Sequence, residues 1–182
     1  MAFITRAELD ANTHRLLASP KDSVSIEAIC VRPNFSQRRP VEEVFLCCRE
    51  GVVGDRWRRS PWLRLENGEP DPRIQVSLAN SRLLRLISKA GQAITLPGDN
   101  FVADIDLSEA NIPVGQRLRL GEAVIEVSTV YNDACSKFAA RYGKDVVAWI
   151  RAPQNRHLRL RGIFAQIVQS GRVTLRDKIQ KC

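Results

Sequence analysis

The sequence predicts an α+β protein that is mainly β: a closed antiparallel β-barrel with a few peripheral helices. About eight short segments alternate apolar and polar residues, as strands with one buried face do. Most of them follow one another across tight turns, which favours antiparallel pairing over strand–helix–strand units. Closing the sheet into a barrel removes exposed strand edges, so a barrel accounts best for so many short strands.

The composition is that of one globular domain. The chain has 182 residues, of which 44% are apolar and 26% charged. These values exclude a disordered chain, a collagen and a coiled coil. No apolar run approaches the ~20 residues of a membrane helix, and residues 1–10 lack the apolar core of a signal peptide. We therefore expect a cytoplasmic protein that does not bind membranes.

The net charge of +8 comes from 22 arginines and only 6 lysines. Arginine binds phosphate and carboxylate groups in a bidentate geometry, so the bias favours an anionic partner. Genome composition explains the same bias equally well. The charge is concentrated in two stretches, from Arg56 to Arg64 and from Arg151 to Arg161.

A helix is predicted at the N-terminus. Thr5-Arg6-Ala7-Glu8 is a capping box, and leucines follow on one helical face. The helix should end before Pro20, which cannot continue it. We therefore divide the chain into an N-terminal helical extension, residues 1–23, and a barrel domain, residues 24–182.

Strand patterns fill the first half of the barrel domain. Proline and glycine bound them, as both residues interrupt regular structure. A proline-rich loop is predicted at Ser60–Pro72, and Asn80 or Ser81 should cap a helix that ends at Gly91. The predicted strands are Ser25–Arg32, Val41–Cys48, a half-buried Ile74–Leu78, and Phe101–Leu107.

The second half combines strands with two short helices. The helices are predicted at Ser136–Tyr142, closed by Gly143, and at Asp145–Arg151. The predicted strands are Arg117–Leu120, Ala123–Val130, Leu158–Val168 and Val173–Ile179, the last two forming a hairpin across Ser170-Gly171. Arg159 and Arg161 would share one strand face, because they are two residues apart.

The cysteines do not form a disulfide framework. Their number, five, is odd, and with no Cys-x-x-Cys motif and two histidines a zinc site is disfavoured. Cys30, Cys47 and Cys48 lie in apolar strands and are predicted to be shielded as small hydrophobic residues. Cys182 is terminal, so its thiol should be accessible.

Cys135 differs from the other cysteines because it lies between a predicted strand and the first turn of a helix. Unpaired backbone N–H groups at a helix start favour a thiolate. Lys137 and Arg141 add to this effect, whereas Asp133 opposes it. We expect Cys135 to be the most reactive of the five thiols. The alternative interpretation is a small residue that fills a loop.

Two arginine motifs are candidate ligand-binding sites. Gly54-Asp55-Arg56-Trp57 places a guanidinium at a strand end, where the alternative is a capping aspartate with a surface arginine. Arg159 and Arg161 precede Gly162, which allows close approach of a ligand or backbone. The alternative for this pair is a solvated face.

From Ser25 to Ile179 the chain resembles the MOSC domain, the module named after the C-terminal region of molybdenum cofactor sulfurases. Each matching element is weakly specific alone, but their order is specific. The elements are Ile26-x-x-Ile29-x-x-Arg32-Pro33, Gly51–Trp57, Arg73–Leu78, Gly98–Phe101, Val114–Leu118, Ile125–Val127, Cys135, Arg161–Phe164 and Gly171–Val173.

The resemblance implies a barrel that binds a molybdopterin-type molybdenum cofactor. Cys135 would be the catalytic residue, either as a soft ligand of the metal or as a carrier of a persulfide in sulfur transfer. Molybdenum-dependent reduction of N-hydroxylated compounds is the alternative reaction. The cofactor-binding residues that the resemblance implies are Asp55, Arg56, Arg73, Asn100, Lys137 and Arg161.

These roles make a spatial prediction. Arg56, Arg73 and Arg161 should converge on one pocket within reach of Cys135, where their guanidinium groups would bind the phosphate of the cofactor. Asn100 would bind the amide-like edge of the pterin. If the arginines are only solvated, they should scatter over the surface.

The resemblance also bears on partners. The sulfurases carry a pyridoxal-phosphate domain, and this chain is too short to include it, so sulfur or electrons would come from a separate cysteine desulfurase or redox partner. The predicted ligands are the cofactor and a small-molecule substrate. Two other classes stay open: a basic nucleic-acid-binding module, disfavoured because the 11 aromatic residues form no stacking motif, and a non-catalytic barrel that mediates protein contacts.

Overall fold

The computed structural model of the protein describes residues 3–182. In this range the α-helices are α1 (Arg6–Leu17), α2 (Ser81–Ile87), α3 (Ser136–Tyr142) and α4 (Lys144–Arg151). The strands are β1 (Val24–Val31), β2 (Arg39–Val41), β3 (Glu43–Cys47), β4 (Gly51–Val52), β5 (Val76–Asn80), β6 (Phe101–Ala103), β7 (Arg117–Leu120), β8 (Ala123–Tyr131), β9 (Ile163–Gln169), β10 (Gly171–Thr174) and β11 (Lys178–Lys181). Two 3₁₀ helices span Pro72–Ile74 and Pro153–Leu158.

Seven of these strands close into a barrel, which confirms the predicted fold class. Their order is β1-β6-β5-β9-β8-β7-β11, and β11 pairs again with β1. Every pair in the ring is antiparallel except β5 and β6, which run parallel. The predicted antiparallel pairing therefore holds for every neighbouring pair of the ring except this one. α2 lies between the two strands in the chain and provides the crossover that parallel neighbours need.

The predicted hairpin across Ser170-Gly171 is wrong. β9 pairs with β5 and β8, whereas β10 pairs with β3 in a separate three-stranded sheet of order β10-β3-β4. A Cβ added at Gly171 would lie 2.5 Å from the carbonyl carbon of Glu122. The chain thus passes directly against the β7–β8 turn and continues into the second sheet instead of folding back on β9.

The predicted strand Leu158–Val168 begins only at Ile163. Arg159 has a left-handed φ of 48°, and Gly162 follows with a φ of 106°. A Cβ at Gly162 would lie 2.4 Å from the carbonyl oxygen of Leu78, so only glycine fits where the chain turns into β9. Arg159 and Arg161 therefore lie in a turn and do not share a strand face.

The starts of α1 and α2 follow the predicted caps, whereas β5, β6 and the end of α2 differ from prediction. The capping box of α1 is formed, and the Asn80 side chain accepts a hydrogen bond from the Leu83 amide at 3.1 Å. β5 is buried along its whole length instead of being half-buried, because the barrel interior covers one face and helices cover the other. α2 ends before the predicted Gly91, and β6 is shorter than the predicted Phe101–Leu107.

Apolar side chains form two clusters, one inside the barrel and one between the barrel and the helices. The second cluster contains Leu9 and Leu16 of α1, and the indole N–H of Trp149 in α4 donates to Asp10 of α1 at 3.0 Å. The N-terminal helix is therefore packed on the helices that flank the barrel. The division of the chain at residues 23 and 24 stays a prediction. None of the helices in residues 3–182 is long and apolar enough to cross a membrane.

Candidate functional site

A cavity of about 600 Å³ opens where several loops meet at the barrel. We call it the main cavity. Its walls come from the segment after β1, the loop after β4, the turn before β6, the segment that joins β8 to α3, and residues at the start of β9. This volume lies in the usual range for small-molecule sites.

The walls of the main cavity are strongly basic. Two carboxylates, Asp99 and Asp133, also line it. The cationic side chains are Arg32, Arg38, Arg56, Lys137, Arg141 and Arg161. These residues come from four separate segments of the chain, so the fold itself concentrates the positive charge. The excess of cations favours an anionic ligand.

Some of these cations are already paired within the protein. Arg161 donates to both carboxylate oxygens of Asp99 at 2.9 Å, and its guanidinium lies 4.7 Å from the ring centroid of Phe138 in α3. Arg56 lies 4.4 Å from the ring centroid of Phe35 and donates to a backbone carbonyl. Among the described residues no carboxylate lies within 4.0 Å of Arg38, Arg56, Lys137 or Arg141. These four cations therefore have charge that no carboxylate among the described residues offsets at close range.

The electrostatics of Arg38 and Arg56 also favour an anionic ligand. Burial, and then the charge of Arg141, lowers the pKa of Arg38. Burial, and then the charge of Arg32, lowers the pKa of Arg56. The Nε of Arg38 is buried and has no hydrogen-bond partner within residues 3–182. A bound anion would offset the repulsion and accept the unpaired N–H.

Cys135 lies at the edge of this cavity. It precedes the first turn of α3, and its side chain makes no capping hydrogen bond. The thiol is exposed, and Lys137 and Arg141 of α3 line the same cavity. The structure thus brings together Cys135, Lys137, Arg56 and Arg161, as the sequence predicted. Their roles stay predictions.

The segment before Cys135 has a strained backbone. Ala134 is buried and has a left-handed φ of 66°, which is unfavourable for a residue with a Cβ. Arg151, at the end of α4, donates to the carbonyl oxygens of Asp133 and Ala134, both at 2.9 Å. Strain that surrounding contacts hold in place is typical of functional sites. Arg151 therefore holds the backbone segment that precedes Cys135.

If Cys135 is a metal ligand, as the resemblance implies, we expect Arg151→Ala to reduce molybdenum retention by roughly tenfold, because the variant releases the backbone that precedes the ligand. The double variant Arg151→Ala/Ala134→Gly should recover much of the loss, because glycine adopts a left-handed φ without those hydrogen bonds. The measurement is molybdenum bound per chain in each purified variant. Equal retention in Arg151→Ala and wild type would exclude this role for Arg151.

Asp55 and Asn100 do not line the cavity but hold residues that do. The Asp55 carboxylate accepts from Arg32 Nε at 2.7 Å, from Arg32 Nη2 at 3.2 Å and from the Trp57 amide at 3.0 Å. The Asn100 side chain is fully buried, accepts from Arg32 and Ser77, and donates to Asp55 at 3.2 Å. The two residues fix Arg32 and Ser77 in the cavity wall and have no free atom facing a pterin.

Arg73 does not reach the main cavity, so the predicted convergence of three arginines is wrong for this residue. Its Nε and Nη2 donate to the buried carboxylate of Asp71 at distances of 2.6–3.0 Å. Asp71 in turn caps the 3₁₀ helix Pro72–Ile74. The motif Asp71-Pro72-Arg73 is a local turn in which the arginine side chain forms an ion pair with the aspartate two residues before it.

The ion pair of Arg73 makes stability depend on pH. Its side-chain hydrogen bond holds the pKa of Asp71 below the ordinary 3.8. Such a carboxyl stabilises the fold above its unfolded pKa, and the contribution is lost as pH falls through the folded pKa. We expect Arg73→Gln to lower the free energy of unfolding near ~pH 7 and to lower it by less near ~pH 2, because the contribution of the pair falls as Asp71 becomes protonated. Urea titrations at both values test this, and an equal loss at both would contradict it.

The thiols differ from the predicted pattern at one position. Cys30 is buried, and burial raises the pKa of its thiol, whereas Cys47 is half-buried. Cys48 was predicted to be shielded but is exposed, because β3 ends at Cys47 and the strand alternation stops there. The Ser170 hydroxyl lies 3.3 Å from its sulfur. Cys48 and Cys182 therefore serve as exposed reference thiols outside the main cavity.

Sequence reasoning missed several residues of the main cavity. Arg38 belongs to a loop that only the tertiary fold brings against Arg141 of α3. Trp62 was placed in a loop without a role, yet it is 60% exposed and its ring lies 5.7 Å from that of Phe164. A tryptophan in a proline-rich loop was the available signal for a ligand-binding aromatic residue. Within residues 3–182, no group of three or more His, Cys, Asp or Glu side chains is placed to hold a metal ion.

Comparisons with known proteins agree with this architecture. Residues 75–180 match the sequence model of the MOSC domain, a range that contains Cys135 and Arg161. The YUAD protein from Bacillus subtilis has a similar structure, with 17% identity, a TM-score of 0.61, and coverage of 87% of this chain and 95% of that one.

YiiM from Escherichia coli is also similar, with 16% identity, a TM-score of 0.56, and coverage of 87% of this chain and 69% of that one. YiiM from Geobacillus stearothermophilus has 16% identity and a TM-score of 0.60, and the match covers 87% of this chain and 75% of that one. At these identities the likeness shows the fold alone. A search of curated proteins found no match.

Proposed function

Because the chain belongs to the MOSC domain family, we propose that it binds a molybdopterin-type molybdenum cofactor in the main cavity, with Cys135 as the reactive thiol. One observation carries the proposal: an exposed thiol and four cations without carboxylate partners line a single cavity of about 600 Å³. The residues come from distant parts of the chain, so their meeting is a property of the fold.

The residues present fit this cofactor. A phosphate group suits Arg56, Arg141 and Lys137, which have no carboxylate partner among the described residues, and the buried Nε of Arg38 needs an acceptor. Cys135 offers one soft ligand, which suits a metal already held by the dithiolene sulfurs of the cofactor. Arg161 stays paired with Asp99, so its role is to orient α3 through Phe138.

Both candidate reactions use the sulfur of Cys135, which is exposed and lines the main cavity. As a sulfur carrier, the thiolate would attack the outer sulfur of a donor persulfide, release the donor thiolate, and become a persulfide itself. The donor would be a separate cysteine desulfurase. Lys137 and Arg141 would stabilise the anionic form of either species.

Reduction is the second candidate function, and the aromatic residues at the cavity favour it. Trp62, Phe164 and Phe35 form an apolar part of the wall that a sulfur carrier does not require. When bound, the cofactor would supply a centre that takes two electrons from a separate electron-transfer protein and, with two protons, reduces an N-hydroxylated compound to the amine and water. Trp62 and Phe35 would bind the apolar part of that substrate.

Differential alkylation tests the proposal on the intact protein. The chain is produced in a host that makes molybdopterin and in one that does not, and the labelled thiols are identified by mass spectrometry. We expect Cys135 to be protected from iodoacetamide only in the first preparation. Cys48 and Cys182 should be labelled equally in both, because they lie outside the main cavity.

The same spectra separate the two reactions. A metal-bound Cys135 returns to the free thiol when the protein is denatured, whereas a sulfur carrier shows the mass of one additional sulfur at Cys135. Equal labelling of Cys135 in both preparations, with no additional sulfur, would contradict the proposed function.

A further inference from the structure

A second cavity lies behind one wall of the main cavity. Its volume is about 130 Å³, and Tyr131, Asn132 and Phe164 line both cavities. The remaining walls come from β8, the turn before β9 and the 3₁₀ helix Pro153–Leu158. The proposed function uses none of the residues that are specific to this second cavity.

Two buried polar groups in the shared wall have no partner in the part of the chain that the structure describes. They are the hydroxyl of Tyr131 and the Nδ2 of Asn132, whose residue is only 8% exposed. Burial raises the pKa of Tyr131, so its hydroxyl stays protonated at neutral pH and can donate a hydrogen bond. Buried donors without acceptors are uncommon in folded proteins, and a bound oxyanion would satisfy both groups.

Two guanidinium groups line the same cavity. Arg159 is buried and donates to the carbonyl oxygen of Ile112, while its Nε lies 3.7 Å from a carboxylate oxygen of Glu109 at the exposed side. Arg156 stacks over the Tyr131 ring at 4.2 Å and has no carboxylate within 4.0 Å among residues 3–182. The left-handed turn at Arg159 separates this pair from Arg161, which faces the main cavity.

We propose that the second cavity binds one small oxyanion, with Tyr131, Asn132, Arg156 and Arg159 as its donors. The cavity is too small for a nucleotide or a drug-sized ligand, which needs roughly 300 Å³ or more. Two guanidinium groups face one carboxylate, and the two unpaired wall groups are donors, so the site selects a phosphate, sulfate or carboxylate group over a cation.

Because the two cavities share three lining residues, two kinds of ligand could supply this oxyanion. It is a free inorganic ion, or it is the terminal group of a ligand whose remainder lies in the main cavity beside Trp62. Orthophosphate and phenyl phosphate distinguish these sources. Tighter binding of phenyl phosphate that is lost in Trp62→Ala identifies the terminal group, and equal or weaker binding identifies the free ion.

The test is an NMR titration of the cofactor-free protein with orthophosphate at constant ionic strength. We expect saturable shifts at the backbone amides of Ser128, Thr129 and Gly162, which line the second cavity. Arg156→Gln and Tyr131→Phe should each weaken this binding by roughly tenfold, as loss of a donor to a charged group does. Arg119→Gln, an exposed arginine on β7 outside both cavities, is the matched control and should not change it.

Tyr131→Phe also separates binding from folding. It keeps the ring under Arg156 and removes a hydroxyl that bonds to nothing, so the thermal midpoint should not fall. Shifts at the amides of Ser136 and Lys137 report binding in the main cavity. Binding in the second cavity is therefore tested separately from binding in the main cavity. No saturable shift at the second cavity, or wild-type affinity in both variants, would overturn the proposal.

Discussion

Replacing Cys135 with serine should leave the protein folded and deprive it of bound molybdenum. The side chain is exposed and makes no capping hydrogen bond, so its sulfur contributes little to packing. A hydroxyl is neither a soft metal ligand nor a thiolate at neutral pH. We expect metal retention to fall by at least roughly 10–100-fold, since loss of even an outer partner of a metal ligand has that effect. Elemental analysis after gel filtration measures the loss.

Cys48→Ser is the matched control for this variant. It removes another exposed thiol, but one that lies outside the main cavity beside Ser170. We expect wild-type metal retention from this control and an unchanged thermal midpoint from both variants. If Cys135→Ser keeps as much molybdenum as Cys48→Ser does, Cys135 is not the ligand, and the persulfide role must be judged from the sulfur content instead.

Replacing Asp55 with alanine should cost about 3–5 kcal/mol of folding free energy, the range for breaking a buried ion pair. The Asp55 side chain is 1% exposed, and the Arg32 side chain that it binds is 23% exposed. The substitution leaves the Arg32 guanidinium without its carboxylate and removes an acceptor from Asn100. Urea unfolding followed by tryptophan fluorescence measures the change.

Two further variants serve as comparisons for Asp55→Ala. Asp145→Ala removes an exposed carboxylate of α4 and should change the free energy of unfolding by no more than about 0.5 kcal/mol. Asp55→Asn keeps the shape and some of the hydrogen bonds, so its loss should be smaller than that of Asp55→Ala. If Asp55→Ala lowers the free energy of unfolding by less than ~1 kcal/mol, the hydrogen bonds around Asn100 do not stabilise the cavity wall.

The sequence predicted the features of the site that depend on local chemistry. Cys135 was identified because a cysteine directly before a helix is a recognisable local pattern, and α3 begins at the next residue. The caps of α1 and α2 were identified for the same reason. Barrel closure was predicted from the number and spacing of strands, which determine how many edges need a partner.

Errors arose where a residue's surroundings depend on distant backbone. Arg159 and Arg161 have strand-like spacing, but the left-handed conformation of Arg159 and the turn that follows place one side chain at each cavity. The pairing of β10 with β3 depends on a close approach at Gly171 that no local pattern reveals. In contrast, the position of Arg73 was predictable, because Asp71-Pro72 before it favours a turn that captures the arginine.

Whether the protein carries the cofactor is tested most directly by its molybdenum and pterin content. The wild-type chain is purified from a host that makes molybdopterin, and both components are measured per folded chain. Occupancy of the main cavity by an anionic cofactor bound through Cys135 predicts molybdenum and pterin in equal amounts, approaching one of each per chain. A folded protein with neither component above the background of Cys135→Ser would contradict the account.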